Sequence, residues 1–286
     1  MAESGPSVVL GGKGMLGADL VAAIEADGTF APAIVADLPE VDITCENSVR
    51  PFLADHKPYV VFNCAAYTNV DGCESHRDEA FAVNATGTGN VAAAAAQIGA
   101  RLIHVSTDFV FDGALRRPYE ETDTPAPLSV YGKSKLAGEE AVAERGKQWA
   151  IARTAWLYGG HNGRNFVDLM LRLCREKDEL KVVTDQVGSP TWSADLARAL
   201  IAMAKGGVEG VFHTANDGAC TRLEWVERIV EYAGLSTRLV PADSAAFPRP
   251  ATVPAYSALS TAKLHRETGH VMRPWAEALR DYLSDV

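Results

Sequence analysis

The chain has 286 residues, with 47% hydrophobic and 22% charged side chains and a formal net charge of −10. That length suits one large α/β domain, or a large domain with a smaller lobe. The acidic balance shows no basic stripe for nucleic acid, and no run of roughly eighteen apolar residues could cross a bilayer. Residues 1–6 lack the basic and apolar regions of a signal peptide, so a cytoplasmic protein is expected, without nucleic-acid or membrane partners.

In chain order, an apolar run at 7–10 leads into glycines, and 15–26 reads as a helix. Residues 33–36 read as a strand, 46–56 as a helix and 59–63 as a buried strand. The Ala-rich stretch 85–98 predicts a helix that packs closely on a sheet, followed by a strand at 101–106. A helix at 130–144 and a strand at 149–153 complete the regular half. Beyond it, 165–176, 193–204, 223–233 and 274–283 read as helices, 211–214 as a strand and 242–256 as a loop.

This alternation predicts an α/β fold, a Rossmann-type doubly wound parallel sheet with a smaller interleaved C-terminal substrate lobe. Residues 1–153 form the expected dinucleotide-binding domain, and segments near 185–215 rejoin it. Residues 154–286 form mainly the substrate lobe. Ligands on such sheets bind beyond the carboxyl ends of the strands, here after Leu10, Asn63, Ser106 and Arg153.

Gly11, Gly14 and Gly17 form a GxxGxxG pattern between strand and helix. Glycines there let the backbone approach a pyrophosphate, which the helix N-terminus attracts. With Lys13, Met15 and Leu16 they predict a dinucleotide site for NADH or NADPH. Asp37 is the expected ribose ligand; its charge opposes a 2′-phosphate and favours NADH, an effect Lys13 could offset. Asp42 and Ile43 join the cofactor set, as do Cys64, Ala65, Ala66 and Thr68 after the third strand. Asn84 joins it too, fixing that loop or the active-site backbone.

Tyr131 and Lys135 make a YxxxK pair on one face of a helix. A lysine ammonium would lower the phenol pKa and hold the nicotinamide ribose, and the tyrosine would trade a proton with a substrate oxygen. Thr107, with Ser106 as second candidate, would hydrogen-bond a substrate carbonyl beside it. The expected catalytic set is Thr107, Tyr131 and Lys135, and the chemistry is carbonyl reduction by hydride transfer. Five cysteines (Cys45, Cys64, Cys73, Cys174 and Cys220) form no CxxC pair, and seven histidines form no HExxH, so no disulfide framework and no metal is expected.

These motifs together resemble one family. The glycine loop, the 63–68 segment, Val70-Asp71 and Val83-Asn84-Ala85 carry the likeness, followed by 106–113, which begins Ser-Thr-Asp-Phe. So do 118–120, 131–139, 153–158, Asn165-Phe166, 185–191 and 256–259, which together span nearly the whole chain. The sequence is similar to the dTDP-4-dehydrorhamnose reductases, the RmlD-like branch of the extended short-chain dehydrogenases. The resemblance implies reduction of the C4 ketone of a nucleotide sugar, dTDP-4-dehydro-L-rhamnose, to dTDP-L-rhamnose by Thr107, Tyr131 and Lys135.

It also places Ser106, Thr107, Asp108, Phe109, Trp156, Asn165, Gln186 and Thr191 at the substrate, and it admits a homodimer. Trp156 can alternatively be a core aromatic, and Asn165, Gln186 and Thr191 can instead fix loops. Two departures stand out: Phe109 where the family has tyrosine, and Val253 where it has arginine before a proline, with Arg249-Pro250 just upstream. Phe109 also lies where related dehydratases carry a proton-transferring glutamate, which disfavours dehydration. The alternatives are an epimerase, a reductase of another nucleotide-linked 4-keto sugar, or a non-catalytic dinucleotide-binding subunit like the regulatory subunit of methionine adenosyltransferase.

Overall fold

The computed structural model describes residues 5–160 and 165–284. Six of its strands form one parallel sheet: β1 (Ser7–Leu10), β2 (Ala33–Ala36), β3 (Val60–Asn63), β4 (Arg101–Thr107), β5 (Trp149–Thr154) and β6 (Gly210–His213). Their spatial order is β2-β1-β3-β4-β5-β6. The inner strands are apolar on both sides, as a sheet covered on both faces requires; every residue of β1 and β3 is buried.

One face is covered by α1 (Met15–Asp27), and the other by α2 (Glu46–His56), α3 (Thr88–Ile98) and α4 (Val130–Arg145). The Ala-rich α3 predicted from sequence does lie close against its neighbours, with Ala92, Ala94 and Ala95 buried. It is entered through a π-helical turn, Ala82–Gly87, so the regular α-helix starts later than the predicted residue 85.

After β5 the chain builds the smaller lobe with α5 (Phe166–Glu176), then returns. Helix α6 (Ser193–Gly206) packs beside α1, and β6 adds to β5 in parallel. Residues 187–188 and 191–192 pair instead with short strands, Cys220–Thr221 and Leu157–Tyr158. Helices α7 (Arg222–Tyr232) and α8 (Trp275–Ser284) complete the lobe around Tyr158, Trp225 and Tyr282, all fully buried. Strands Glu179–Val183 and Arg238–Ala242, which the sequence did not announce, pair in parallel; the second ends where the loop was expected to begin.

The sheet order positions the site. From β1 the chain steps to β2 on one side and then to β3 on the other, which leaves a crevice beyond the carboxyl ends of β1 and β3. Gly11 (φ 74°) turns at that point, and a Cβ there would lie 2.7 Å from the Ala65 nitrogen. No helix among the described residues is long and apolar enough to cross a membrane.

Candidate active site

A cleft of about 880 Å³ opens at this crevice and runs to the lobe. Its first end is formed by Gly11, Gly14, Met15, Leu16 and Gly17. No side chain caps α1 and no acid stands in its first turn, so its N-terminal amides and positive dipole end face the cleft. A Cβ on Gly17 would lie 2.2 Å from the Gly11 carbonyl oxygen, which explains the need for glycine. An anion-seeking helix end in a cleft of this size fits a dinucleotide pyrophosphate. Asp37, Asp42 and Ile43 line the same end, with Cys64, Ala65, Ala66 and Thr68 beside them. Burial pushes the Cys64 thiol up to about 12, against the opposing effect of Lys135.

Lys13 does not line the cleft. Its backbone N–H donates to Asp37 at 3.1 Å, and its ammonium pairs with Glu40 at 3.0 Å. The charge expected to offset Asp37 is thus engaged by a second carboxylate.

Asn84 is fully buried and acts through the loop. Its side-chain oxygen accepts the Tyr67 N–H (2.8 Å), and its amide donates to the Tyr67 carbonyl (3.1 Å) and the Ser134 hydroxyl (3.0 Å). It therefore ties the loop after β3 to α4. Helix α4 starts at a Ser129 cap, which accepts the Gly132 N–H at 3.1 Å. Cβ atoms on Gly132 and Gly138 would lie 2.2 Å from the Phe109 oxygen and 2.1 Å from the Asn84 oxygen. These close approaches fix Tyr131 and Lys135 against the end of β4.

Thr107, Asp108, Tyr131 and Lys135 meet on the cleft wall. The Thr107 hydroxyl donates to Asp108 at 3.1 Å and accepts the Phe109 N–H at 3.2 Å. Burial raises the Tyr131 phenol above its ordinary value; a hydrogen bond with Thr107 opposes the rise and Asp108 adds to it. This corrects the expectation of a phenol depressed by Lys135. The Lys135 ammonium instead donates to the Val105 carbonyl at 2.7 Å and lies 3.4 Å from His104 Nε2. Burial brings it down to about 8, with Glu139 pulling the other way. Burial raises the Asp108 carboxyl to about 6, while hydrogen bonds with Ser257 and Thr107, and the charge of Arg222, oppose the rise.

Ser106 and Thr107 are also separated in role. The Ser106 hydroxyl donates to Glu139 at 2.5 Å, and Glu139 is held bidentately by Arg153 at 2.9 and 2.6 Å. Ser106 lines the cleft as expected, while its hydroxyl is engaged by the buried ion pair behind β4.

Trp156 lines the cleft with its backbone at φ 45°, a left-handed conformation costly for a bulky residue. Gly188 makes room for it: a Cβ there would lie 2.3 Å from the indole. Phe109 is on the wall as well, edge-on to Tyr131 at 5.6 Å between ring centres.

Asn165, Gln186 and Thr191 are not on the cleft wall. Asn165 caps α5, accepting the Asp168 N–H at 3.0 Å and donating to Gly159 and Tyr282. The Gln186 amide donates to the Ser244 hydroxyl at 2.9 Å, and the fully buried Thr191 donates to the Ser189 carbonyl at 3.1 Å. All three serve the lobe's own construction in place of the expected cleft contacts. Among the charged cleft residues, Arg222 escaped sequence reasoning, and Arg249 was noted there only as a neighbour of Val253. Arg222 places its guanidinium 3.5 Å from the Trp156 ring centre, and Arg249 lines the rim, paired with Asp71 at 3.0 Å. Val253 is not on the wall. Among the described residues, no three His, Cys, Asp or Glu side chains gather as a metal site.

Sheet order, glycine turn and the Thr107–Tyr131–Lys135 cluster define an extended short-chain dehydrogenase. The model of the RmlD substrate binding domain matches residues 7–286. The chain belongs to the dTDP-4-dehydrorhamnose reductase family. It is 45% identical over 283 residues to a dTDP-4-dehydrorhamnose reductase of Mycobacterium tuberculosis, spanning 97% of this chain and 92% of that one. Among solved structures, a dTDP-4-dehydrorhamnose reductase of Clostridium acetobutylicum superposes with a TM-score of 0.94 at 40% identity, covering 98% of both chains. The Bacillus anthracis dTDP-4-dehydrorhamnose reductase, solved in complex with NADP, gives 0.95 at 35% identity, covering 99% of this chain and 100% of that one.

Proposed function

We propose that this chain reduces the C4 ketone of dTDP-4-dehydro-L-rhamnose to dTDP-L-rhamnose with NADH or NADPH. The observation that carries the reading is the meeting of Thr107, Tyr131 and the buried Lys135 on the cleft wall. The nicotinamide, when bound, supplies the hydride. Tyr131 gives its phenolic proton to the oxygen as the ketone becomes an alcohol. Its raised pKa keeps that proton in place at neutral pH, which suits a donor to a strongly basic alkoxide. The Thr107 hydroxyl can turn from Asp108 to the ketone oxygen and hold it beside the phenol. Lys135 keeps its charge below about pH 8, where it can hold the nicotinamide ribose.

The same reading divides the chain by role. Residues 1–153 with α6 and β6 hold the dinucleotide, and the lobe holds the nucleotide sugar. A cytoplasmic setting fits the five free thiols. A second reading, reduction of another nucleotide-linked 4-keto sugar, draws on Phe109, whose ring brings no hydroxyl to the cleft wall. Steady-state assays with dTDP-4-dehydro-L-rhamnose and dTDP-4-keto-6-deoxy-D-glucose, with NMR of each product, separate the two. A higher kcat/KM for the first sugar and an L-rhamno product support the proposal; preference for the second overturns it.

A further inference from the structure

Among the described residues the cleft wall carries two cations that the reduction does not use, Arg249, which is paired with Asp71, and Arg222. Arg222 is the first residue of α7, directly after the Thr221 cap. A cation at a helix N-terminus opposes the helix dipole. Its guanidinium is flanked by aromatic rings, 3.5 Å from the centre of Trp156, 4.8 Å from Phe166 and 5.4 Å from Trp225. Those rings orient the group and strip water from its faces.

No ion pair or side-chain hydrogen bond engages the guanidinium among the described residues. Its charged neighbours are Asp108, which is hydrogen-bonded to Thr107, and Arg249, a like charge. Burial draws the Arg222 guanidinium down to about 9, and Arg249 adds to the fall while Asp108 resists it. The aromatic faces and Asp108 favour the cation while dipole, desolvation and Arg249 oppose it, and among the described residues no ion pair or side-chain hydrogen bond uses its N–H groups. An anion arriving in the cleft would be favoured by the helix N-terminus and by both cations, and its pairing would offset the cost of burying the guanidinium.

We propose that Arg222 seats the diphosphate of the nucleotide sugar, with Arg249 as the second cation at the rim. This deepens the nucleotide-sugar reading above and rests on it. A planar guanidinium grips phosphate oxygens in a forked geometry, and the Trp156 face fixes its plane before the ligand arrives. The other anion expected in the cleft, the dinucleotide pyrophosphate, is met by the first turn of α1. Arg222 therefore acts on one ligand and not on the other.

The test is calorimetric titration of the full chain with dTDP, thymidine and NADPH, for wild type, Arg222→Gln and Arg222→Lys. The Gln variant is expected to weaken dTDP binding about tenfold to a hundredfold, the range of a lost charge-assisted hydrogen bond. Thymidine and NADPH, which do not meet this cation through a diphosphate, stay within about threefold, and the Lys variant recovers part of the dTDP affinity. In turnover, Arg222→Gln raises KM for the sugar nucleotide more than it lowers kcat. Unchanged dTDP affinity in the Gln variant overturns the proposal, as does equal weakening of dTDP and thymidine. So does joint loss of NADPH binding and thermal stability in both variants. Absent turnover by the wild-type chain bears on the reductase reading alone, because the titration needs no keto sugar.

Discussion

Lys13 shows how a single partner can set a preference that the motif leaves open. The glycine loop and Asp37 were legible because both are local features, a turn beside a strand and an acid at the end of the next one. The Lys13–Glu40 ion pair was not, because it spans a fold-dependent gap between two loops. With its ammonium on Glu40 and its N–H on Asp37, Lys13 offers little to a 2′-phosphate. Replacing Glu40 with alanine is therefore expected to raise the NADPH:NADH ratio of kcat/KM a few-fold, as an exposed pair allows, and the gain should fade in high salt. An unchanged ratio at low salt would mean that the pair does not govern the choice. Arg222 was illegible for a related reason: Trp156 and Phe166 meet it only once the lobe has folded.

At the scale of elements, the most consequential contact is between the π-turn and α4. YxxxK spacing reveals the shared face of Tyr131 and Lys135, but not what holds that face in place. The hold is supplied by Asn84 and by the bare Cα of Gly138, where a methyl group would lie 2.1 Å from the Asn84 carbonyl oxygen. Gly138→Ala is thus expected to destabilise the fold by about 1–3 kcal/mol through overpacking, read from the urea midpoint. Asn84→Ala leaves the Tyr67 amide and carbonyl without their partner, so kcat and dinucleotide affinity should both fall while the global fold persists. A Gly138→Ala chain as stable as wild type would show that the two helices slide apart freely. The lobe's strand pair was missed for the opposite reason to α4. Residues 179–183 alternate, with Glu179 and Lys181 exposed and Leu180 and Val182 turned inward, but over too few positions to stand out, and 238–242 show no alternation, so the pairing of the two defines the strands.

For the whole molecule, the parallel sheet was legible because its strands are short apolar runs separated by helices. Within 185–215, Gly210–His213 pairs with β5, whereas 187–188 and 191–192 pair with Cys220–Thr221 and Leu157–Tyr158. The closed core also sets a pH response. His213 is fully buried, its Nδ1 3.0 Å from the Tyr119 carbonyl, and burial brings its pKa to about 3. A depressed histidine contributes stability above its unfolded value near 6.5, and that contribution is lost progressively as pH falls from 6.5 toward about 3. Asp108, raised to about 6, acts in the opposite sense, because its protonation favours the fold as pH falls below that value. The His213 share is isolated by comparison with His213→Asn, which should lose about 2 kcal/mol less stability than wild type between pH 7 and pH 5. Parallel losses in the two chains would place the acid sensitivity elsewhere. The central claim is that Tyr131 delivers the proton in a dinucleotide-driven ketone reduction. Its most direct test is turnover of dTDP-4-dehydro-L-rhamnose by wild type and Tyr131→Phe, with dinucleotide affinity measured in parallel. The wild type is expected to yield dTDP-L-rhamnose, and the variant to show a kcat lower by about 10²–10⁴ with dinucleotide affinity unchanged within a few-fold. Comparable turnover by the variant, or none by a wild type that binds the dinucleotide, would contradict it.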